Sequence, residues 1–301
     1  MRLLCENKIL YDRNKVSYDG VNIMSVLNLS RNDNIVHFSR DNCVVEGKRL
    51  AAQYQAAEPF PHIVIDCLFE PQLLREALVD FPGAEGKQFF DRDQERLKFQ
   101  FAPEEVKAGL LRNLLIELNS KAFLSFLEEM TGIDGLMGDH HFSGGGLHET
   151  RRNGHLSIHA DFNVHEELNL ERRLNLLVYL NDDWDEAFGG ALELWDTEMT
   201  KCEVKVAPIM ARAVVFNTSL DSYHGHPDPL VCPEGRTRRS MATYYYTAPL
   251  NGVASLPKRT TAFQTRPGSK DKSDRRIKME HWIRDWVPPR LQRVVSRLNP
   301  Y

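Results

Sequence analysis

Apolar residues along this chain keep two different beats. Between Pro103 and Met130 they recur at three and four, as in Leu110, Leu111, Leu114, Leu115 and Leu118, which is the period of a helix face. The spacing predicts one long helix there, or two joined near Asn119-Ser120. A shorter helix over Glu70–Asp80, with an acidic first turn, follows a β-branched strand run at Pro61–Cys67. Beyond residue 146 the beat changes to short runs of strand type. Leu147–Arg152 leads through Asn153-Gly154, a hairpin turn signal, into Leu156–His159. Arg172–Asn181 is apolar on both faces and reads as a central strand. After Gly189-Gly190, Leu192 and Leu194 oppose Glu193 and Trp195, and Val204–Ala207 and Ala213–Phe216 add two more strands around Pro208. The fold class is therefore mainly β with flanking helices (α+β). Residues 1–55 mix short apolar pieces such as Asn34–Phe38 with turn formers and predict a loose extension with one or two short strands and no chemistry.

Candidate chemistry gathers on the strands. In His159-Ala160-Asp161 the imidazole and the carboxylate are two residues apart, so a strand turns both to one side. A third ligand from a distant strand would complete the two-histidine, one-carboxylate face that suits non-haem Fe(II), and His224 is the candidate. His226 competes for that place. A His-x-Asp triplet also arises by chance, and a half-buried histidine held by hydrogen bonds is the plainer reading of the triplet alone. Further along, Arg236, Arg238 and Arg239 enter a strand in which Arg236, Arg238, Ser240, Ala242 and Tyr244 share one face. Phe142-Ser143-Gly144-Gly145-Gly146 lacks the spacing of a phosphate loop and reads as a turn. His148 and Arg152 are either substrate contacts or solvated strand positions.

Taken in order, Pro59–Asp66, His159-Ala160-Asp161, Leu177–Asn181, Gly189–Leu194, Ser222-Tyr223-His224-Gly225 and Arg238-Arg239-Ser240 resemble the prolyl-4-hydroxylase-like branch of the Fe(II)/2-oxoglutarate dioxygenases, over roughly residues 56 to 248. The resemblance implies a double-stranded β-helix, a cupin-like jelly-roll core, with iron near one mouth. It implies Fe(II) on His159, Asp161 and His224, with 2-oxoglutarate and O2 as cosubstrates, ascorbate as an accessory reductant, and succinate and CO2 as co-products. Arg238 then takes the far carboxylate of 2-oxoglutarate, with Tyr179 and Ser240 beside it and Arg236 as runner-up. Halogenating relatives replace the carboxylate ligand by a small residue, so Asp161 implies hydroxylation. Relatives often carry a cosubstrate-contacting tyrosine before the ligand hairpin, and no tyrosine lies between residues 139 and 155 here.

Length and charge refine this picture. The 301 residues divide into a 1–55 extension, a 56–250 catalytic domain with supporting helices, and a basic 251–301 segment. Residues 258–301 hold twelve Lys/Arg against four Asp/Glu, although the whole chain is at −4. Arg275–Leu298 alternates basic residues with Trp282, Trp286 and aliphatics, which predicts an amphipathic helix docked on the barrel or lying on an anionic membrane surface. Nucleic acid is not an expected partner, because the basic residues come with an aliphatic stripe rather than stacking aromatics and the remainder of the chain is acidic. Five unpatterned cysteines, an early charge at Arg2 and the lack of a long apolar run fit a cytoplasmic protein, peripheral at the inner membrane surface if the basic segment binds there. The substrate class stays open between prolyl or other peptides, amino acids and sugars or glycans. Two other classes of function fit the same residues: a zinc hydrolase on the His/Asp/His site, and a jelly-roll binding module without turnover.

Overall fold

The computed structural model describes residues 25–83, 88–165, 167–249, 258–273 and 279. A hairpin of β1 (Leu29–Asn32) and β2 (Ile35–Phe38) leads into helix α1 (Arg40–Gln55). The sequence pattern predicts a loose extension here, and the structure differs. Helix α1 buries Cys43, Gly47, Leu50 and Tyr54, spaced four, three and four apart, and Ser39 Oγ caps its start by accepting from the Asn42 amide. Half of that seam is a cysteine and a glycine, so its apolar signal is faint. Gly47 is needed for close approach, since a Cβ there would come 2.6 Å from the carbonyl oxygen of Phe126.

Next come β3 (His62–Ile65), α2 (Pro71–Ala77) with a proline in its first turn, and a hairpin of β4 (Gln88–Arg92) and β5 (Glu95–Phe101) that the sequence does not announce. The leucine-rich stretch is two helices, α3 (Leu110–Glu117) and α4 (Lys121–Thr131). Ser120 caps the second by accepting from Phe123 N at 3.2 Å, and Gly132 ends it in the left-handed region at φ 74°.

The barrel strands follow as β6 (Met137–Gly138), β7 (Gly146–Ala160), β8 (Glu171–Tyr179), β9 (Leu192–Trp195), β10 (Cys202–Val206), β11 (Ala213–Asn217), β12 (His224–His226), β13 (Arg238–Thr247) and β14 (Ala262–Phe263). They pair antiparallel in the order β10-β9-β12-β7-β13-β8-β11-β3, with β5 and β14 also on β7 and β6 on β13. The result is a nearly closed antiparallel jelly-roll barrel with helices on its outside. Leu174, Leu176, Val178, Met241 and Tyr245 face outward into one core with the α3 and α4 leucines. Tyr179, Leu192, Leu194, Val214 and Phe216 face inward into a second cluster.

One expectation needs correction. Asn153-Gly154 does not turn a hairpin, because β7 runs on as one 15-residue strand. The chain bulges at Asn153 (φ 65°), and neighbouring strands hold both halves of β7 in line: Thr150 pairs with Lys98 and Arg238, and Leu156 pairs with Glu95 and His226. Within the basic segment, residues 258–273 add β14 to β7 and tie Arg266 to Asp271 and Asp228. The expected helix over Arg275–Leu298 lies outside the described residues, and no described helix is long and apolar enough to cross a membrane.

Candidate active site

Strand geometry brings the three expected ligands together. His159 stands near the end of β7, Asp161 just past it, and His224 pairs directly with His159 across β12. One ligand atom from each lies within 4.8 Å of the other two. Both imidazoles are oriented from behind. Nδ1 of His159 lies 2.9 Å from the Ser157 carbonyl, and Nδ1 of His224 lies 2.9 Å from that of Ser222. A carbonyl only accepts, so each Nδ1 carries a proton, and each Nε2 faces Asp161, at 3.5 and 3.4 Å. Burial, then the neighbouring His159, pushes the His224 pKa down and keeps that ring neutral.

Asp161 is held equally firmly. Its Oδ2 accepts from Arg172 Nη2 at 3.0 Å and from Asn175 Nδ2 at 2.7 Å, which leaves Oδ1 facing His159. Burial would raise this carboxyl, but Arg172, His224 and His159 outweigh it and hold it well below the usual range. The Arg172 guanidinium lies 3.5 Å over the Tyr244 ring and 4.5 Å over that of Phe162. Sequence reasoning misses Arg172 because strict alternation would put it with Leu174 on the helix side. A bulge where Tyr245 and Tyr246 pair with Leu174 and Arg172 turns it inward.

Residues 145–246, which contain all three of these side chains, match the family model of the 2OG-Fe(II) oxygenase superfamily. That stretch is a 2OG-Fe(II) oxygenase domain. Among solved structures, a prolyl hydroxylase from Trichoplax adhaerens, in complex with a hypoxia inducible factor peptide, is similar over 71% of this chain and 96% of its own, at 16% identity and a TM-score of 0.51. A prolyl-4-hydroxylase from Pseudomonas putida (66% and 98% covered, 17% identity, TM-score 0.47) and prolyl 4-hydroxylases from Phytophthora capsici (75% and 70%, 22%, 0.46) are also similar. The first of these shares the fold. No curated protein matches the chain in sequence.

The oxygenase's two cofactors, Fe(II) and 2-oxoglutarate, can be tested against the residues present. Two imidazole nitrogens and one carboxylate oxygen are a suitable donor set for Fe(II). Beside them is a cavity of about 240 Å³ lined by Arg238, Ser240, His226 and His148, among others. Arg238 is 5% exposed, and the partners of its guanidinium are the Gly190 carbonyl at 2.8 Å and the Tyr179 hydroxyl at 3.4 Å, both uncharged. A buried cation with neutral partners fits a ligand carboxylate. Gly190 (φ 75°) makes room for it, since a Cβ there would sit 3.0 Å from Arg238 Cδ.

The other expected residues fall as follows. Ser240 lines the cavity, paired with Tyr179 on one side and His148 on the other. Tyr179 is fully buried and stands behind Arg238, its hydroxyl meeting the guanidinium. His226 lines the cavity outside the ligand triad, with a buried Nδ1 that has no hydrogen-bond partner. Arg236 is elsewhere, bonded to the carbonyls of Asp182 and Asp183 and lying over Trp184 and Phe188. Arg152 donates to the Cys232 carbonyl and also lies outside the cavity. The 142–146 turn contributes the Gly144 carbonyl, which accepts from Tyr244 Oη and from His148. Lys98, Asn175 and Phe263, which the sequence did not single out, also line the cavity.

Proposed function

We propose that this oxygenase hydroxylates an unactivated C–H bond of a peptidyl, amino-acid or glycan substrate, with 2-oxoglutarate and O2 consumed and succinate and CO2 released. His159, Asp161 and His224 would hold Fe(II), and Arg238, with Ser240 beside it and Tyr179 behind it, would take the far carboxylate of 2-oxoglutarate. Fe(II), when bound, supplies the coupling of O2 reduction to decarboxylation of the keto acid.

The chain's own residues do the positioning. Ser157 and Ser222 carbonyls fix both imidazole tautomers, and Arg172 with Asn175 occupies one oxygen of Asp161 so that the other is free for metal. Tyr244, Phe162 and Phe263 give the cavity apolar walls that limit water. The observation that carries this reading is the convergence of three ligand atoms beside a buried guanidinium with only uncharged partners. A zinc hydrolase on the same triad would have no use for that guanidinium.

The test is anaerobic titration of Fe(II)-loaded protein with 2-oxoglutarate, following the weak visible charge-transfer band of a chelated keto acid. A band in wild type that weakens in Arg238→Ala is the expected result, and a substrate screen by succinate release follows from it. No band in folded, iron-loaded wild type would overturn the reading in favour of the hydrolase or the binding module.

A further inference from the structure

The cavity has a second cationic position. Strands β5, β7 and β13 run side by side, and their registers set Lys98, Thr150 and Arg238 in one row and Gln100, His148 and Ser240 in the next. All six line the cavity. Directly paired residues share a face, so Lys98 and Arg238 look into one space from strands about 10 Å apart.

Lys98 is only 9% exposed. Its Nζ donates to Glu95 Oε1 at 2.7 Å and lies 5.4 Å from the centre of the Phe90 ring. The other Glu95 oxygen is taken by Arg92 Nη2 at 2.9 Å, so one carboxylate serves two cations. An ammonium has three N–H groups, and one carboxylate oxygen leaves donors in reserve.

The charge balance points the same way. The lining holds four cationic side chains, Arg92, Lys98, Arg172 and Arg238, against two carboxylates, Glu95 and Asp161. A divalent metal and a dianionic cosubstrate cancel each other, so the surplus persists when both are bound. Such a surface favours a ligand rich in acceptors.

We propose that the substrate carries an anionic oxygen group, a carboxylate, sulfate or phosphate, seated on Lys98 with Arg92 at its side. This rests on the reading that Arg238 is taken by 2-oxoglutarate. Glu95 then acts as the group that holds the two cations in place until the substrate arrives.

The experiment uses Fe(II)-loaded protein saturated with 2-oxoglutarate under argon, titrated calorimetrically with acetate and with sulfate as planar and tetrahedral probes. Wild type should bind at least one of them, Lys98→Met should weaken that binding about tenfold or more, and Lys98→Arg should retain it. Glu95→Gln, which frees both cations, should tighten it. The keto-acid band should persist in every variant. Wild type with an intact band that binds neither probe, or Lys98→Met binding as well as wild type, overturns the proposal. If the band is missing and probe binding disappears in Arg238→Met instead, the anion site is Arg238, and both the cosubstrate reading and this one fall.

Discussion

Arg172 Nη2 and Asp161 Oδ2 meet at 3.0 Å, so the carboxylate of the candidate metal site is clamped from outside the triad. Arg172 is buried, Asp161 is mostly covered, and Asn175 completes the clamp by donating to the same oxygen. The guanidinium is therefore a positioning group for the ligand.

Replacing Arg172 by Met should weaken divalent metal binding by about 10- to 100-fold, the usual cost of losing an outer partner of a ligand. Arg172→Lys should recover only part, because an ammonium lacks the planar fork that meets Asp161 and Asn175 together. Calorimetric titration with Mn(II) measures both.

Asp161→Ala removes the ligand itself and should lower iron-dependent turnover by more than about 100-fold, beyond the loss of an outer partner. Unchanged hydroxylation in that variant rules out the ligand set.

Gly190→Ala tests the anchor without touching it. The added Cβ would press on Arg238 Cδ and on Leu230 Cδ2, and the backbone there is left-handed at φ 75°. The expected outcome is 2-oxoglutarate affinity down about tenfold with metal affinity retained, read from the keto-acid band and from Mn(II) titration.

Acid should weaken the fold before its carboxylates titrate. Burial, followed by Arg238 and Lys98, holds the His226 pKa well below its ordinary range, and burial with Lys98 pushes His148 down to about 3. These rings stay neutral in the fold while the unfolded chain takes up protons below about pH 6.5. Stability is thus full above that value and falls as the pH drops toward the folded pKa. His226 alone should contribute a slope approaching 1.4 kcal/mol per pH unit, to order of magnitude. Denaturant unfolding of metal-free protein between about pH 5 and 7 should show the slope, flattened in His226→Gln.

Peripheral membrane contact by the basic segment remains a proposal, and residues 258–273 must be kept in any test because Thr261 and Phe263 line the cavity. Deleting 274–301 removes seven Lys/Arg and three Asp/Glu. The 301-residue chain should sediment with phosphatidylserine-containing liposomes and the truncated form should not. Equal partitioning ends the idea.

How much of this was legible depended on which way a side chain faces. His159, Asp161 and His224 were readable because strand period and metal chemistry demand the same spacing, and the α3 and α4 leucines because they pack on apolar neighbours. The β4–β5 hairpin was not readable. Glu95, Lys98 and Gln100 on β5 line the cavity and are polar, so apolar alternation disappears where the site is built. Bulges hid Arg172 and made Asn153-Gly154 look like a turn, since local sequence records a kink but not the neighbouring strands that keep the chain going.

Strand β14 gives the far end of the chain a grip on the chemistry. Phe263 pairs with His159 in the ladder and lies against its ring at 5.4 Å between centroids, while Gln264 N donates to the Ile158 carbonyl. A chain cut before residue 262 would leave that side of the His159 ring without its aromatic neighbour.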